Sequence, residues 1–317
     1  MIDFHGRKIN YLRLSVTDSC NLRCKYCMPE CIQESCKKER LSIEEMKNIC
    51  SVFISQGIDK IRLTGGEPLI KKGILDLIQY ISSYPQVKDI AITTNGLLLE
   101  EMAVDLKKAG LKRINISLDS LVPEKFFGMT RGGDLSKVLR GIELAEKIGL
   151  GPIKLNVVLI NGFNDDEIEN FVDLTRDRNI EVRFIELMPI GEVANWSLDH
   201  FISNEEILRK VPQLQKVNKE NISSPATYYK LPNSKGKIGL ISPITCNFCE
   251  NCNRIRVTSQ GYLKHCLHSN EEFDLKAVIS NKDSIKDLIK QATLSKKLRH
   301  QLEEGNYISR NMVQVGG

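Results

Sequence analysis

The sequence predicts an α/β protein. Residues 1–200 read as an incomplete (β/α)6 barrel of TIM type, and residues 201–317 as a smaller lobe. Six β-like runs recur with helical periodicity between them, and strands that alternate with helices pair in parallel. Polar and apolar residues alternate inside the runs, which gives each strand two distinct faces. Short motifs rich in Gly, Asn and Pro follow the runs, at the strand ends where barrels of this type carry their chemistry.

The first run, YLRLSVT from Tyr11, sets Leu12, Leu14 and Val16 on one face and Arg13, Ser15 and Thr17 on the other. Ser42 and Glu45 form a capping-box pattern ahead of Ile43, Met46, Ile49, Val52 and Phe53, so a helix starts there. KIRLTGG sets Ile61 and Leu63 against Arg62 and Thr64, with Lys60 just before them, and leads into GGEP, Gly65 to Pro68. DIAITTNG sets Ile90 and Ile92 against Thr93 and ends in TTNG. RINISLDS sets Ile114, Ile116 and Leu118 against Asn115, Ser117 and Asp119. IKLNVVLI sets Ile153, Leu155 and Val157 against Lys154 and Asn156, and VRFIELMP ends the series. Beyond residue 200 the repeat fades into a mixed region, read as a lobe closing the barrel mouth. It contains a hairpin, RIRVT and YLKHC around Ser259-Gln260-Gly261, and a lysine-rich helical stretch near 283–303.

The apolar faces are expected to pack on the helices, which leaves the polar faces inside. A closed parallel barrel fills its interior with branched apolar side chains. A polar interior that includes Arg13, Arg62 and Lys154 therefore predicts an open cavity for a large polar ligand. Arg254 and Arg256, two apart in a strand, project to one side with Ile255 on the other, and add two cations. Arginine forks match phosphate oxygens, so the ligand is expected to carry phosphate.

With 41% hydrophobic and 27% charged residues the composition is that of a soluble globular protein. A net charge of +5 is too mild to argue for a nucleic acid or an anionic membrane as partner. The start of the chain lacks the pattern of a signal peptide and no window is apolar enough to span a bilayer, so a cytoplasmic location is expected. In that compartment ten cysteines point to metal or redox work rather than to disulfides.

Six of those cysteines form two triplets, Cys20-x3-Cys24-x2-Cys27 and Cys249-x2-Cys252-x13-Cys266. Three thiolates leave a coordination position open, and an open position on a metal centre is where chemistry happens. Cys50 lies in a helical stretch and reads as a small buried hydrophobe. Cys31 and Cys36 follow the first triplet, and Cys246 competes with Cys249, which spacing favours as the ligand.

The first triplet, with Tyr26 before its last cysteine and GGEP at the next strand end, resembles the radical S-adenosylmethionine enzymes. The resemblance implies a [4Fe-4S] cluster on Cys20, Cys24 and Cys27, with S-adenosylmethionine chelating the open iron. It further implies contacts to that cosubstrate from Tyr26, Gly66, Ser117 and Met188. The second triplet enclosing Arg254-Ile255-Arg256, together with LRLSVTDSC, IRLTGGEPL, TTNG, IKLN and a terminal Gly316-Gly317, resembles the GTP 3′,8-cyclase family. This resemblance spans nearly the whole chain. It implies a second [4Fe-4S] cluster on Cys249, Cys252 and Cys266 that faces the guanine of GTP. The implied GTP ligands are Arg13, Lys60, Arg62, Thr93, Lys154, Arg254, Ile255 and Arg256, with Gly316 and Gly317 reaching the active site as catalytic elements. It also implies a low-potential electron donor of flavodoxin or ferredoxin type, a homodimer, and a product passed to cyclic pyranopterin monophosphate synthase. Two other readings stay open. One is a peptide-modifying radical enzyme with an auxiliary cluster; the other is a zinc-ribbon module that binds RNA.

Overall fold

A computed structural model of the protein describes residues 1–29, 39–246, 248–302, 305 and 307–316. Cys31, Cys36 and Gly317 lie outside the described residues. The chain runs β1 (Tyr11–Ser15), α1 (Ile43–Ser55), β2 (Lys60–Thr64), α2 (Ile74–Ser82), β3 (Asp89–Thr94), α3 (Leu99–Lys108) and β4 (Arg113–Ser117). It continues through α4 (Pro123–Thr130), α5 (Leu135–Lys147), β5 (Ile153–Leu159), α6 (Ile168–Asp177), β6 (Glu181–Glu186) and two short helices, α7 (Ala194–Asp199) and α8 (Glu205–Lys210). The remainder holds β7 (Gln215–Val217), β8 (Thr227–Lys230), β9 (Lys237–Ile241), β10 (Arg254–Val257), β11 (Tyr262–Lys264), β12 (Phe273–Asp274), α9 (Lys282–Leu294) and α10 (Met312–Val315).

All these strands join one twelve-stranded sheet, in the order β12-β11-β10-β1-β2-β3-β4-β5-β6-β9-β8-β7. The six expected strands stand in sequence order and pair in parallel. Two strands from beyond residue 200 extend them, also in parallel. β10 lies on β1, with Arg256 opposite Arg13, and β9 lies on β6. The C-terminal region thus supplies both flanks of the barrel as well as its mouth. Neither strand is followed by a crossover helix, the feature that marks the other barrel strands in the sequence, and β9 is also interrupted by Gly239. The flanks curl toward each other, since Ile241 of β9 and Arg254 of β10 line the same cavity. Antiparallel β11 and β8 close the outer sides, and β10 with β11 is the expected hairpin around Gly261.

Face assignment follows the alternation. Leu12, Leu14, Val16, Ile61, Leu63, Ile90, Ile92, Ile114, Ile116, Leu118, Ile153, Leu155 and Val157 are all buried in the main core against the helices. Ile255 is buried there too, so its side chain faces away from the interior. α1 starts at the expected box: Glu45 N–H donates to Ser42 Oγ (3.2 Å) and Ser42 N–H to Glu45 Oε2 (2.7 Å). Its Cys50 is wholly buried in the core, where burial pushes the thiol up to about 12. The lysine-rich helix is α9, capped by Asn281 and ending at Leu294, short of the expected 303. Among the described residues no helix is long and apolar enough to cross a membrane.

Candidate active site

The loop after β1 carries the first triplet. Cys27 N–H and Met28 N–H both donate to Cys24 C=O, at 3.0 and 3.3 Å, which folds the loop into a tight turn. Leu22 N–H points at Cys20 Sγ (3.4 Å), as does Asn95 Nδ2 (3.9 Å). Val313 of α10 donates its backbone N–H to Cys27 Sγ. Burial pushes Cys20 up, Cys24 well up and Cys27 to about 12; neighbouring thiols add to it at Cys24 and Cys27, and Glu67 does at Cys20. Such thiols are protonated and inert alone; a metal that replaces their protons makes them ligands. Backbone and amide donors aimed at sulfur are what iron–sulfur ligation uses, so these residues fit a thiolate-held cluster. Among the described residues no cysteine is in a disulfide, and no three His, Cys, Asp or Glu groups stand close enough to share a single ion.

The strand-end motifs brace this loop. Gly66 N–H donates to Thr17 C=O (2.7 Å) and Glu67 N–H to Ser19 C=O (2.9 Å). A Cβ on Gly66 would lie 2.2 Å from Ser19 C=O, so only glycine allows this approach. Glu67 is fully buried and accepts from Thr94 Oγ1 (2.7 Å), Asn95 N–H (2.7 Å) and Leu69 N–H (2.9 Å). Burial raises it to about 7 against the pull of those bonds. Sequence reading singled out Gly66 but not Glu67, whose carboxylate ties GGEP to TTNG. Tyr26 OH donates to Asp119 Oδ2 (2.8 Å), and Val158 N–H donates to Asp119 Oδ1 (2.8 Å). Burial raises Asp119 to about 6. Ser117 ends β4 opposite Asn156 of β5. Met188 lines the cavity and packs with Ile190, Ile308 and Val315.

That cavity, about 1000 Å³ and open to solvent, unites the second triplet with the arginines. Cys249, Cys252 and Cys266 line it alongside Arg13, Arg62, Thr93, Arg254 and Arg256. Cys246 is exposed and does not line it. A second chamber of about 860 Å³ toward the N-terminal strand ends holds Lys60 and Lys154, and shares Arg13, Arg62, Arg183 and Arg254 with the first. Lys60 is therefore apart from the thiols, joined to them through the shared arginines.

The cations are placed but not satisfied. Arg13 Nε, Arg62 Nε, Arg254 Nε and Nη2, Thr93 Oγ1 and both amide atoms of Asn115 are buried without a hydrogen-bond partner. Each such group costs ~1–3 kcal/mol, and the net stability of a domain is only ~5–15 kcal/mol. An interior with this many open donors is built to be met by a polar, anionic ligand. Burial lowers Arg13 and Arg62, each to about 9, and Arg13 further through its neighbour Arg256; both stay charged at neutral pH. Arg254 stacks over Phe248 at 4.7 Å and Arg62 over Tyr11 at 5.6 Å, which fixes their orientation. Cys252, although burial raises it, is brought down to about 6 by Arg254 and Lys296.

Three placements were beyond the sequence reading. Glu181 accepts from Lys154 Nζ (2.7 Å) and also binds Arg183, so part of Lys154's charge is already neutralised. Burial nevertheless lowers Lys154 to about 8, helped by Arg183. Arg183 projects inward between core residues Val182 and Phe184, a period-two signal that was present but not used. Lys296 stands in the cavity wall beside the second triplet. In the C-terminal tail, Arg256 Nη1 donates to Gly316 C=O (2.6 Å), and a Cβ on Gly316 would lie 2.4 Å from Thr64 Oγ1.

With this geometry in hand, the chain was compared with known proteins. The profile described as Radical SAM superfamily matches residues 14–175, and that described as Molybdenum Cofactor Synthesis C matches residues 180–302. A protein from Peptoclostridium acidaminophilum named GTP 3′,8-cyclase is 54% identical over 319 residues, covering 100% of this chain and 98% of that protein. One of the same name from Alkaliphilus oremlandii (strain OhILAs) is 54% identical over 324 residues, covering all of both. Among solved structures, Streptococcus suis SuiB bound to precursor peptide SuiA is similar with a TM-score of 0.60 at 14% identity, over 98% of this chain and 77% of that one. SuiB bound to S-adenosylmethionine gives a TM-score of 0.59 at 14% identity, over 88% of this chain and 65% of that one. At that identity the likeness to SuiB is one of fold alone.

Proposed function

The chain belongs to the radical S-adenosylmethionine superfamily and, within it, to the GTP 3′,8-cyclase family, and from that premise we propose that it converts GTP to 3′,8-cyclo-7,8-dihydro-GTP. This is the first step of molybdenum-cofactor biosynthesis. The observation that carries the proposal is the single cavity in which three thiols and four buried arginines face one another.

Cys20, Cys24 and Cys27 would hold one [4Fe-4S] cluster and Cys249, Cys252 and Cys266 the other. When bound, the first cluster and S-adenosylmethionine would supply the radical chemistry the reaction needs: removal of the ribose 3′-hydrogen, joining of C3′ to guanine C8, and quenching of the remaining radical by one electron and one proton from the low-potential donor's side. The protein's part is placement. Tyr26, Gly66, Ser117 and Met188 line the cosubstrate side in this reading. Arg13, Arg62, Arg254 and Arg256 clamp the triphosphate, with Thr93, Lys60 and Lys154 below, while Ile255 contributes only its backbone. A single Arg fork can hold a phosphate bidentately, so the four together fix the ribose as well as binding the triphosphate. Gly316 and Gly317 would complete the wall near the reacting carbon.

In this division, residues 1–200 serve the cosubstrate and part of the phosphate clamp, and residues 201–317 bring the second cluster and the Arg254–Arg256 pair. A low-potential flavodoxin or ferredoxin as donor, cyclic pyranopterin monophosphate synthase as consumer, a homodimer and a cytoplasmic location belong to the same proposal. The test is anaerobic turnover of reconstituted protein with GTP, S-adenosylmethionine and a reductant. About eight irons per chain, as two cubane clusters require, and a cyclised GTP product support the reading. Stoichiometric zinc, or 5′-deoxyadenosine without any GTP-derived product, removes it.

A further inference from the structure

The first residues of the chain fold back as a small hairpin, Ile2 bridging Lys8, that holds a buried ion pair. Asp3 accepts from Arg7 Nε (2.6 Å), Arg7 N–H (2.8 Å) and His5 N–H (3.0 Å), so the Arg7 side chain leaves the hairpin in one fixed direction. Its remaining donors all go to distant carbonyls. Nη1 reaches Cys249 C=O (2.8 Å) and Leu298 C=O (3.2 Å), and Nη2 reaches Lys297 C=O (2.8 Å) and Lys296 C=O (3.2 Å). A guanidinium has five N–H donors in a rigid fork, and every one is used. Lys296 continues the chain of bonds: its Nζ donates to the C=O of His265 (2.6 Å), the residue before Cys266.

We propose that Arg7, oriented by Asp3, is the positioning residue of the second thiol loop. It fixes the peptide of Cys249 directly and that of Cys266 through Lys296, so two of the three ligand backbones are set by one buried fork. Lysine cannot copy this, having a single ammonium in place of a planar fork. The inference rests on the reading that Cys249, Cys252 and Cys266 hold a cluster.

The experiment compares wild type, Cys252→Ala, Arg7→Lys and Asp3→Asn, each reconstituted anaerobically. Iron content and the EPR spectrum of the reduced protein are recorded with S-adenosylmethionine and with GTP. Cys252→Ala should lose about half of the iron; if it keeps all of it, the cluster assignment fails whatever Arg7 does. Given that loss, Arg7→Lys should keep the spectral response to S-adenosylmethionine while losing or broadening the response to GTP, with second-cluster iron down twofold or more. Asp3→Asn should show the same pattern more weakly, and it serves as the readout should Arg7→Lys not fold. A uniform loss of both clusters, or a GTP response and iron content equal to wild type in both variants, overturns the proposal. Loss of general stability alone would not separate the two spectra.

Discussion

The two thiol loops differ in what surrounds them. Beside the first stand two buried carboxyl groups, Asp119 under Tyr26 and Glu67 under Asn95, and burial holds its thiols up. Beside the second stand Arg254, Arg256 and Lys296, and Arg254 with Lys296 brings Cys252 down to about 6 against the effect of burial. A sulfonium cosubstrate is cationic at sulfur and a nucleoside triphosphate is polyanionic, so under the proposed assignment the carboxyl-lined loop suits the first and the cation-lined loop the second. The bracing also differs, and it crosses over. The N-terminal Arg7 fastens the second loop, whereas Val313 near the C-terminus reaches Cys27 of the first and packs within 3.0 Å of where a Gly66 Cβ would sit. Each loop is braced by a segment from the far end of the sequence.

The largest effect that this contrast anticipates comes from removing a thiol on either side. Cys24→Ala should abolish reductive cleavage of S-adenosylmethionine, while Cys252→Ala should retain part of that cleavage and lose GTP conversion. Chromatography of 5′-deoxyadenosine and of the GTP product reads both. Equal loss of 5′-deoxyadenosine in the two variants, with first-cluster iron intact, would show that the loops do not divide the work.

Next in size is the phosphate side. Truncating one partner of a desolvated charge pair costs ~2–5 kcal/mol, or roughly 30- to 5,000-fold in affinity. Arg256→Ala should weaken GTP binding on that scale and leave S-adenosylmethionine binding unchanged, by calorimetric titration of each. A change in GTP affinity below threefold takes Arg256 out of the site.

On the cosubstrate side the mirror-image variant is Gly66→Ala, whose Cβ would meet Ser19 C=O at 2.2 Å and force the two loops apart. Such overpacking costs ~1–3 kcal/mol. S-adenosylmethionine affinity should fall roughly 5- to 150-fold with GTP affinity held; the reverse pattern would place Gly66 on the wrong side of the comparison.

These variants also show how far the sequence reaches. Period two was enough to separate Arg13, Arg62, Asn115 and Lys154 from the core residues beside them, because one side of every strand packs on helices. It stopped where partners are distant in the chain. Arg7 and Cys249 are 242 residues apart, and no local pattern announces that bond. Glu67 and Asn95 meet across a strand end for the same reason, and Glu181 meets Lys154 only because β5 and β6 pair in a particular register. The parallel roles of β9 and β10 were hidden by their lack of a crossover helix.

The smallest effect is one of pH. Burial, with Arg183 nearby, brings Lys154 to about 8, so its amine is charged below that pH and neutral above it. GTP affinity should therefore be fullest near neutrality and fall by a few-fold as pH rises to 9, while S-adenosylmethionine affinity follows no such curve. Lys154→Arg, which stays charged throughout, should flatten the GTP profile. An unchanged slope in that variant would mean that Lys154 lies too far from the phosphates to matter.

The central claim is that the radical chemistry supplied at the first loop acts on GTP held beside the second, with the ribose lying between them. Deuterium placed at C3′ of GTP tests it most directly. Single-turnover reaction with anaerobically reconstituted protein should transfer the label into 5′-deoxyadenosine, in proportion to the cyclised product formed. 5′-Deoxyadenosine free of deuterium, with the label retained on the nucleotide, would contradict the account.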